Sequence, residues 1–147
     1  MSKFDGIIRQ YPELRIDCFS SSSRFLMLSH CHTDHLRDLS LVGSSSEITL
    51  FCTEITAKIL LEIPLGGYSE LKALTCGSSR KYKHLEPIIK TMKFNVPYLI
   101  ELELGTVQAT MLPANHCPGA SMILLQGARG SVLYTGDFRS ERYQNYL

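Results

Sequence analysis

One stretch of the chain joins a strand-like run to a cluster of metal-binding side chains: Phe25-Leu26-Met27-Leu28-Ser29-His30-Cys31-His32-Thr33-Asp34-His35. The run at 25–28 is continuously apolar, which indicates a buried strand. In an extended chain the alternating His30 and His32 point to one side, and Asp34 and His35 follow where the backbone turns. Imidazole and carboxylate together suit zinc and similar divalent metals. The stretch therefore predicts an α/β fold with one or two metal ions just past the carboxyl end of a strand.

Two later segments place further ligands in the same kind of setting. His116 lies in Pro113-Ala114-Asn115-His116-Cys117-Pro118-Gly119, a loop held by two prolines after the strand-like residues 107–112. Asp137 follows the apolar run at 133–134 and has two oxygens, which can bridge metals about 3.5–4 Å apart. Taken alone, His116 has the alternative of a buried histidine and Asp137 that of a turn residue. All three segments share the order strand, short loop, ligand, and this coincidence favours one metal centre.

These motifs resemble the metallo-β-lactamase superfamily. The resemblance rests on His-x-His-x-Asp-His at 30–35, the lone His116, Asp137 in Thr-Gly-Asp, and Asp17 as the acidic residue before the cluster. The sequence motifs at residues 28–35, 114–120 and 133–139 resemble those of the DNA-processing branch of this superfamily. That branch carries an inserted β-CASP domain and works in cross-link repair, telomere-end processing and end joining.

The resemblance implies an α/β (α+β) fold, the αββα sandwich, and a metal-dependent DNA nuclease that hydrolyses phosphodiesters. It assigns His30, His32, His116 and Asp137 to a first metal, and Asp34, His35 and Asp137 to a second. The last three would be the catalytic residues, and Asp17 would fix a ligand histidine by a hydrogen bond. The implied cofactor is zinc, one or two ions, with magnesium or manganese as alternatives at the second site. The implied partners are DNA ends, hairpins or single-stranded overhangs together with repair proteins, and the implied location is the nucleus.

Length sets a second expectation. Members of this family are several hundred residues long, so residues 1–147 are expected to be the amino-terminal part, the first half, of a metallo-β-lactamase domain without the β-CASP domain. The histidine that completes the second metal would then be missing, and an apolar sheet face would be left in water. Two other interpretations stay open. One is a catalytically inactive fragment that binds a partner, and the other is a small-molecule metallo-hydrolase of the same fold.

Composition limits the class of protein. With 147 residues, 44% apolar content and no apolar run of 18, the chain is expected to form one domain with a core and no membrane span. Five cysteines without paired spacing favour a reducing compartment, and ligation by Cys31 or Cys117 is not expected. A net charge of +1 gives no general affinity for nucleic acid. The one basic segment, Arg80-Lys81-Tyr82-Lys83-His84, is interpreted as a solvated loop, and no nucleic-acid-binding residue is assigned.

The chain pattern predicts strands joined by short loops and a few helices. Thr53 is expected to cap a helix that ends near Glu62, a helix is expected to begin within 34–41, and one or two short helices are expected within 68–92. Strands are predicted at 14–19, 25–29, 48–52, 96–104, 107–112, 121–126 and 131–135, the last two forming a hairpin around 127–130.

Overall fold

The structure is a computed structural model that describes residues 4–64 and 80–140. Its described residues form two β-sheets that pack face to face, with one α-helix on the far side of the first sheet. In chain order the elements are β1 (Ile7–Ile8), β2 (Tyr11–Ile16), β3 (Phe25–Met27), β4 (Thr49–Thr53), α1 (Glu54–Glu62), β5 (Ile89–Met92), β6 (Pro97–Leu102), β7 (Gly105–Pro113), β8 (Ser121–Gly127) and β9 (Gly130–Tyr134).

The first sheet has the order β1-β2-β3-β4-β5. Strands β2 to β5 are parallel, and only the two-residue β1 pairs antiparallel to its neighbour. Leu26 and Leu50 are fully buried partners in the two central strands, as expected for parallel strands covered on both faces. The carboxyl ends of these strands meet at one edge, and the His30–His35 cluster begins three residues beyond β3.

The second sheet is an antiparallel meander of β6, β7, β8 and β9. Inward-facing and outward-facing residues alternate along its strands: in β8, Ile123 and Leu125 are buried, whereas Met122 and Leu124 are half-buried. The inner residues pack against the first sheet in one core that contains Leu14, Ile16, Met27, Phe51, Met92, Ile100, Val107, Ala109, Met111, Ile123 and Leu125.

The helix α1 covers the other face of the first sheet. Thr53 caps it, because the Thr53 side chain accepts a hydrogen bond from the backbone N–H of Thr56. Leu60 of the helix and Leu85 are fully buried in a second core with Leu28 and Leu50. The sequence-based prediction of this helix, with its cap and its end at Glu62, is confirmed. No helix among residues 4–64 and 80–140 is long and apolar enough to span a membrane.

Several boundaries differ from the predictions. The prediction of a helix that begins within 34–41 is wrong. Two short 3₁₀ turns, Thr33–His35 and Leu39–Leu41, form there instead, and Asp38 just before the second has a left-handed backbone (φ +60°). Within 68–92, residues 68–79 lie outside the described part, and the rest forms a 3₁₀ turn at Lys83–Ile88 followed by strand β5. The sequence does not predict strand β1, because a two-residue strand has no periodicity to detect.

The expectation of an apolar sheet left in water is only partly right. The first sheet is covered on both faces, by α1 on one and by the second sheet on the other. The outer face of the second sheet carries Leu99 and Leu133, which are 69% and 49% exposed. Among the described strands, the large hydrophobic side chains that are exposed therefore lie on the outer face of the second sheet.

Candidate metal centre

Three loops bring the predicted ligands to one edge of the sandwich. His30 and His32 follow β3, His116 lies between β7 and β8, and Asp137 follows β9. Backbone hydrogen bonds tie these loops together: the Ser121 N–H donates to the Ser29 carbonyl at 3.0 Å, and the Arg139 N–H donates to the Ala114 carbonyl at 2.9 Å. The loops from both sheets are thus fixed to each other at the point where their polar side chains meet.

Four donor atoms converge at this edge. The ring nitrogens of His30, His32 and His116 and a carboxylate oxygen of Asp137 all lie within 4.8 Å of one another. His32 Nδ1 is 3.0 Å from Nε2 of both His30 and His116. Asp137 Oδ2 is 3.4 Å from His116 Nε2 and 3.9 Å from His30 Nε2.

These spacings match what one tetrahedral ion requires. Ligand atoms about 2.0–2.1 Å from a tetrahedral ion lie about 3.3–3.4 Å from one another, and the measured distances of 3.0–3.9 Å bracket that value. Three imidazoles and a carboxylate are also a donor set that suits divalent borderline metals. The residues present therefore fit a bound metal ion.

The protonation of His30 favours ligation as well. His30 is 1% exposed, and its burial, together with charge from His35 and from the other histidines, lowers its pKa to about 4. A neutral imidazole is the form that binds metal. The Ser29 hydroxyl lies 2.9 Å from His30 Nδ1, so the ring is held with Nε2 toward His32 and Asp137.

Asp17 organises the buried side of the site. Its carboxylate accepts hydrogen bonds from the Ser29 N–H at 2.8 Å, the Ser29 hydroxyl at 2.5 Å and the Tyr134 hydroxyl at 2.9 Å. It also lies 2.8 Å from His35 Nδ1, and this hydrogen bond raises the pKa of His35 against the opposing effect of burial. Asp17 is 3% exposed and has a left-handed backbone, with φ +55°. It is therefore placed to orient a neighbouring histidine.

Asp17, His30 and His35 also have donor atoms within 4.8 Å of one another. Two of these side chains are already held by hydrogen bonds, however, since Asp17 contacts His35 Nδ1 and Ser29 contacts His30 Nδ1. The Nε2 atoms of both histidines are therefore directed away from Asp17 and Ser29, toward Asp137. The geometry thus favours a hydrogen-bond network over a separate metal site for Asp17, His30 and His35.

The residues expected at a second metal are arranged more loosely. His35 Nε2 lies 3.6 Å from both Asp34 Oδ2 and Asp137 Oδ1, so His35 stands between the two carboxylates. Asp34 is 76% exposed and belongs to neither of the two convergent donor groups in the described residues. Asp137, at 47% exposed, faces both the first cluster and His35, which is the position that a bridging carboxylate needs.

Cys31 and Cys117 flank the ligands without joining the convergent donors of residues 4–64 and 80–140. The Cys31 thiol lies 3.4 Å from the Thr56 carbonyl, and burial raises the pKa of Cys31 to about 12. Burial also raises the pKa of Cys117. Nucleophilic reactivity needs the thiolate, so both thiols are poor nucleophiles.

Sequence reasoning gave no role at the site to four residues that support it. Ser29 and Tyr134 hold Asp17, while the hydroxyls of Thr53 and Thr56 lie 2.8 and 3.0 Å from the Gly119 carbonyl at the end of the His116 loop. Ser29 and Tyr134 each stand within three residues of a predicted ligand, which is a usable signal. Nothing in the sequence links Thr53 or Thr56 to residue 119.

Comparison with known proteins settles the family. The family model described as the metallo-beta-lactamase superfamily matches residues 24–144, which include every candidate ligand. The chain belongs to the metallo-β-lactamase superfamily. The sandwich of two sheets with a flanking helix, here in part, is consistent with the predicted α/β fold class, which is confirmed.

Within this superfamily the chain is similar to two kinds of named protein. Protein artemis of Gallus gallus is 36% identical over 95% of this chain, and that of Homo sapiens is 34% identical over the same share. The 5′ exonuclease Apollo of Rattus norvegicus is 32% identical over 92% of this chain. The matches cover 19%, 20% and 22% of those proteins, so the chain spans about a fifth of the length of these curated relatives.

Proposed function

We propose that this chain contributes the metal-binding part of a DNA nuclease that hydrolyses phosphodiester bonds. The observation that carries the proposal is the convergence of His30, His32, His116 and Asp137 within 4.8 Å, in a chain similar to artemis and to a 5′ exonuclease. The proposed substrate is DNA with ends, hairpins or single-stranded overhangs. The proposed location is the nucleus, with repair proteins as partners.

The ligand roles are part of the same proposal. His30, His32, His116 and Asp137 would hold a first zinc ion, and Asp34, His35 and Asp137 would contribute to a second ion of zinc, magnesium or manganese. Such ions, when bound, lower the pKa of water and stabilise charge on phosphoryl oxygens. Asp17 and Ser29 would fix the orientation of the histidine rings, and Asp137 would face both positions.

The sequence leaves two alternatives open. The motifs Asn115-His116-Cys117-Pro118-Gly119 and Thr135-Gly136-Asp137-Phe138-Arg139 argue against a small-molecule hydrolase, and so does the similarity to an exonuclease. An inactive fragment that binds a partner has one observation in its favour, the exposed Leu99 and Leu133 on the outer sheet face. That observation concerns an outer sheet face and does not explain why the ligands converge.

Cleavage assays test the proposed function. The chain should be incubated with a 5′-phosphorylated single strand and with a DNA hairpin, in zinc, magnesium or manganese, and the products resolved on a gel. We expect weak, chelator-sensitive cleavage, because Asp34 is exposed and the second position is loosely built. Asp137→Asn should abolish it, whereas Asp38→Asn, which alters an aspartate outside the cluster, should not. DNA left intact while a thioester or lactone is hydrolysed would contradict the proposal.

A further inference from the structure

A cavity opens beside the candidate metal centre. Its volume is about 400 Å³, and its lining includes His32 and Asp34 together with Leu36, Ile63, Lys81 and Tyr82. This volume falls within the range of roughly 300–1,000 Å³ that is usual for ligand pockets. The cavity therefore shares two residues with the candidate centre and continues from it.

The inner wall of this cavity is apolar. Leu36, Ile63 and Tyr82 are 7%, 6% and 2% exposed, so only small parts of these side chains face the opening. The neighbouring Cys31 also lines the cavity, and its thiol lies 3.4 Å from the Thr56 carbonyl. An apolar wall next to a polar centre suits a ligand with an anionic end and a flat, weakly polar end.

Lys81 is the one lysine or arginine among the described residues that line the cavity. The flanking cations are both paired with carboxylates: Arg80 lies 2.8 Å from Glu62, and Lys83 lies 2.7 Å from Glu86. Lys81 has no carboxylate within ion-pair distance among residues 4–64 and 80–140, and its Nζ lies 5.3 Å from the centre of the Tyr82 ring. Its backbone N–H donates to the Ile63 carbonyl at 2.9 Å, which anchors this position at the cavity.

We propose that this cavity receives the nucleotide next to the scissile phosphate, with Lys81 contacting a backbone phosphate and the apolar wall contacting the base. The inference rests on the proposed function, because it takes a phosphodiester at the His32 and Asp34 side of the cavity as its starting point. Charge complementarity supports the phosphate contact. A DNA strand presents one phosphate per nucleotide, and Lys81 is a cation with no described carboxylate within ion-pair distance. The apolar wall supports the base contact, since every base has an apolar face.

The sequence analysis interpreted residues 80–84 as a solvated loop, and this proposal gives Lys81 within them a separate role. Its three lysine and arginine residues are not equivalent, because two are neutralised locally and one faces the cavity. The chain has a net charge of only +1, so a general basic surface does not account for DNA binding. Lys81, a single cation beside the metal centre, can contact a phosphate without a general basic surface.

Two matched variants test the role of Lys81. Binding of a fluorescent single-stranded thymidine oligonucleotide to the zinc-loaded chain should be followed by anisotropy at several salt concentrations. Lys81→Gln should weaken binding about three- to tenfold and lower the salt slope by about 0.7. Lys83→Gln removes the same charge two residues away and should leave both values nearly unchanged. Equal losses in the two variants would overturn the inference while leaving the proposed function standing.

A second measurement tests the apolar wall. Backbone amide signals of the zinc-loaded chain should be recorded by NMR during titration with a thymidine dinucleotide, and then with an analogue that lacks one base. Shifts at Ile63, Lys81 and Tyr82 with the dinucleotide, reduced at least about fivefold with the analogue, are expected. Identical shifts with both probes, or shifts confined to residues outside the cavity, would refute the base contact. No binding of any DNA probe by the unaltered chain would refute the proposed function and this inference together.

Discussion

Asp17 shows how much of the candidate centre depends on one carboxylate. It is buried, has a left-handed backbone, and lies within 2.5–2.9 Å of donors from Ser29, His35 and Tyr134. A carboxylate without such donors would be costly to bury. The burial also raises the pKa of Tyr134, with the Asp17 charge adding to the effect, so the phenol stays protonated and continues to donate. The network is thus self-consistent at neutral pH.

Asp17→Asn is expected to weaken metal binding about 10- to 100-fold, because residues that orient a ligand histidine have effects of that size. The substitution keeps the shape and tolerates the left-handed backbone, but it replaces one acceptor oxygen by an N–H₂ donor. Competition with a zinc-binding dye measures the affinity. Asp38→Asn is the matched control, since Asp38 has the same backbone conformation at φ +60° and no side-chain cap hydrogen bond. Equal affinities for the two variants would show that Asp17 does not position a ligand.

At the scale of elements, the His116 loop is held by the beginning of α1. The hydroxyls of Thr53 and Thr56 both lie within 3.0 Å of the Gly119 carbonyl. Gly119 has a φ of +80°, and a Cβ there would come within 2.7 Å of the Thr56 hydroxyl and 2.8 Å of its backbone nitrogen. Only glycine fits this position. The His116 loop can therefore pack directly against the start of α1 because residue 119 has no side chain.

Gly119→Ala should therefore destabilise the fold by about 2 kcal/mol or more, from the strained φ and the close contact together. It should also reduce zinc affinity, because the loop that carries His116 must move. Chemical denaturation and metal titration measure the two effects. Gly43→Ala is the control: a Cβ added at Gly43 would meet no atom within 4 Å, and its effect should stay within about 0.5 kcal/mol. A Gly119→Ala protein as stable as the Gly43→Ala protein would contradict this description.

The elements that sequence predicts well are those set by local chemistry. Thr53 and the helix to Glu62 could be predicted because a cap and the helical periodicity lie within ten residues. Strand β5 could not, because Ile89–Met92 follows a turn containing Pro87 and is extended only by pairing with β4. The ligands could be found because His30, His32 and His35 are nearly contiguous. Asp17 could be predicted as a support through the family resemblance, but its hydrogen bond to Tyr134 could not, because the two residues are 117 positions apart in the chain.

At the scale of the whole molecule, the ion pair between Arg129 and Glu13 links the two sheets away from the metal centre. The two terminal guanidinium nitrogens of Arg129, in the β8–β9 turn, each donate to a carboxylate oxygen of Glu13 in β2 at 3.0 Å. The Arg129 guanidinium also lies 4.9 Å from the Tyr11 ring, and the Tyr11 hydroxyl donates to the Gly130 carbonyl at 2.5 Å. Burial raises the pKa of Glu13, but the hydrogen bond and charge of Arg129 outweigh it and lower the pKa below its usual value.

The lowered pKa of Glu13 predicts how the stability of the fold depends on pH. A carboxyl whose pKa is lowered on folding stabilises the protein above its unfolded pKa, and the contribution is lost as pH falls through the folded pKa. Glu13→Gln should therefore cost about 1 kcal/mol at neutral pH, and its stability should approach that of the unaltered chain below about pH 4. Urea denaturation at a series of pH values measures the difference. A difference that stays constant from pH 7 to pH 3 would mean that the pair does not stabilise the fold.

The zinc content of the purified chain tests whether His30, His32, His116 and Asp137 form a metal centre. Elemental analysis of the purified, zinc-exposed chain should give about one tightly held zinc ion per molecule. His30→Ala with His32→Ala should remove it, because two of four converging donors are lost. His84→Ala is the control, since His84 lies near the Val42 carbonyl at 3.1 Å and outside the cluster, and it should keep the zinc. Full zinc content in the double variant would contradict the assignment.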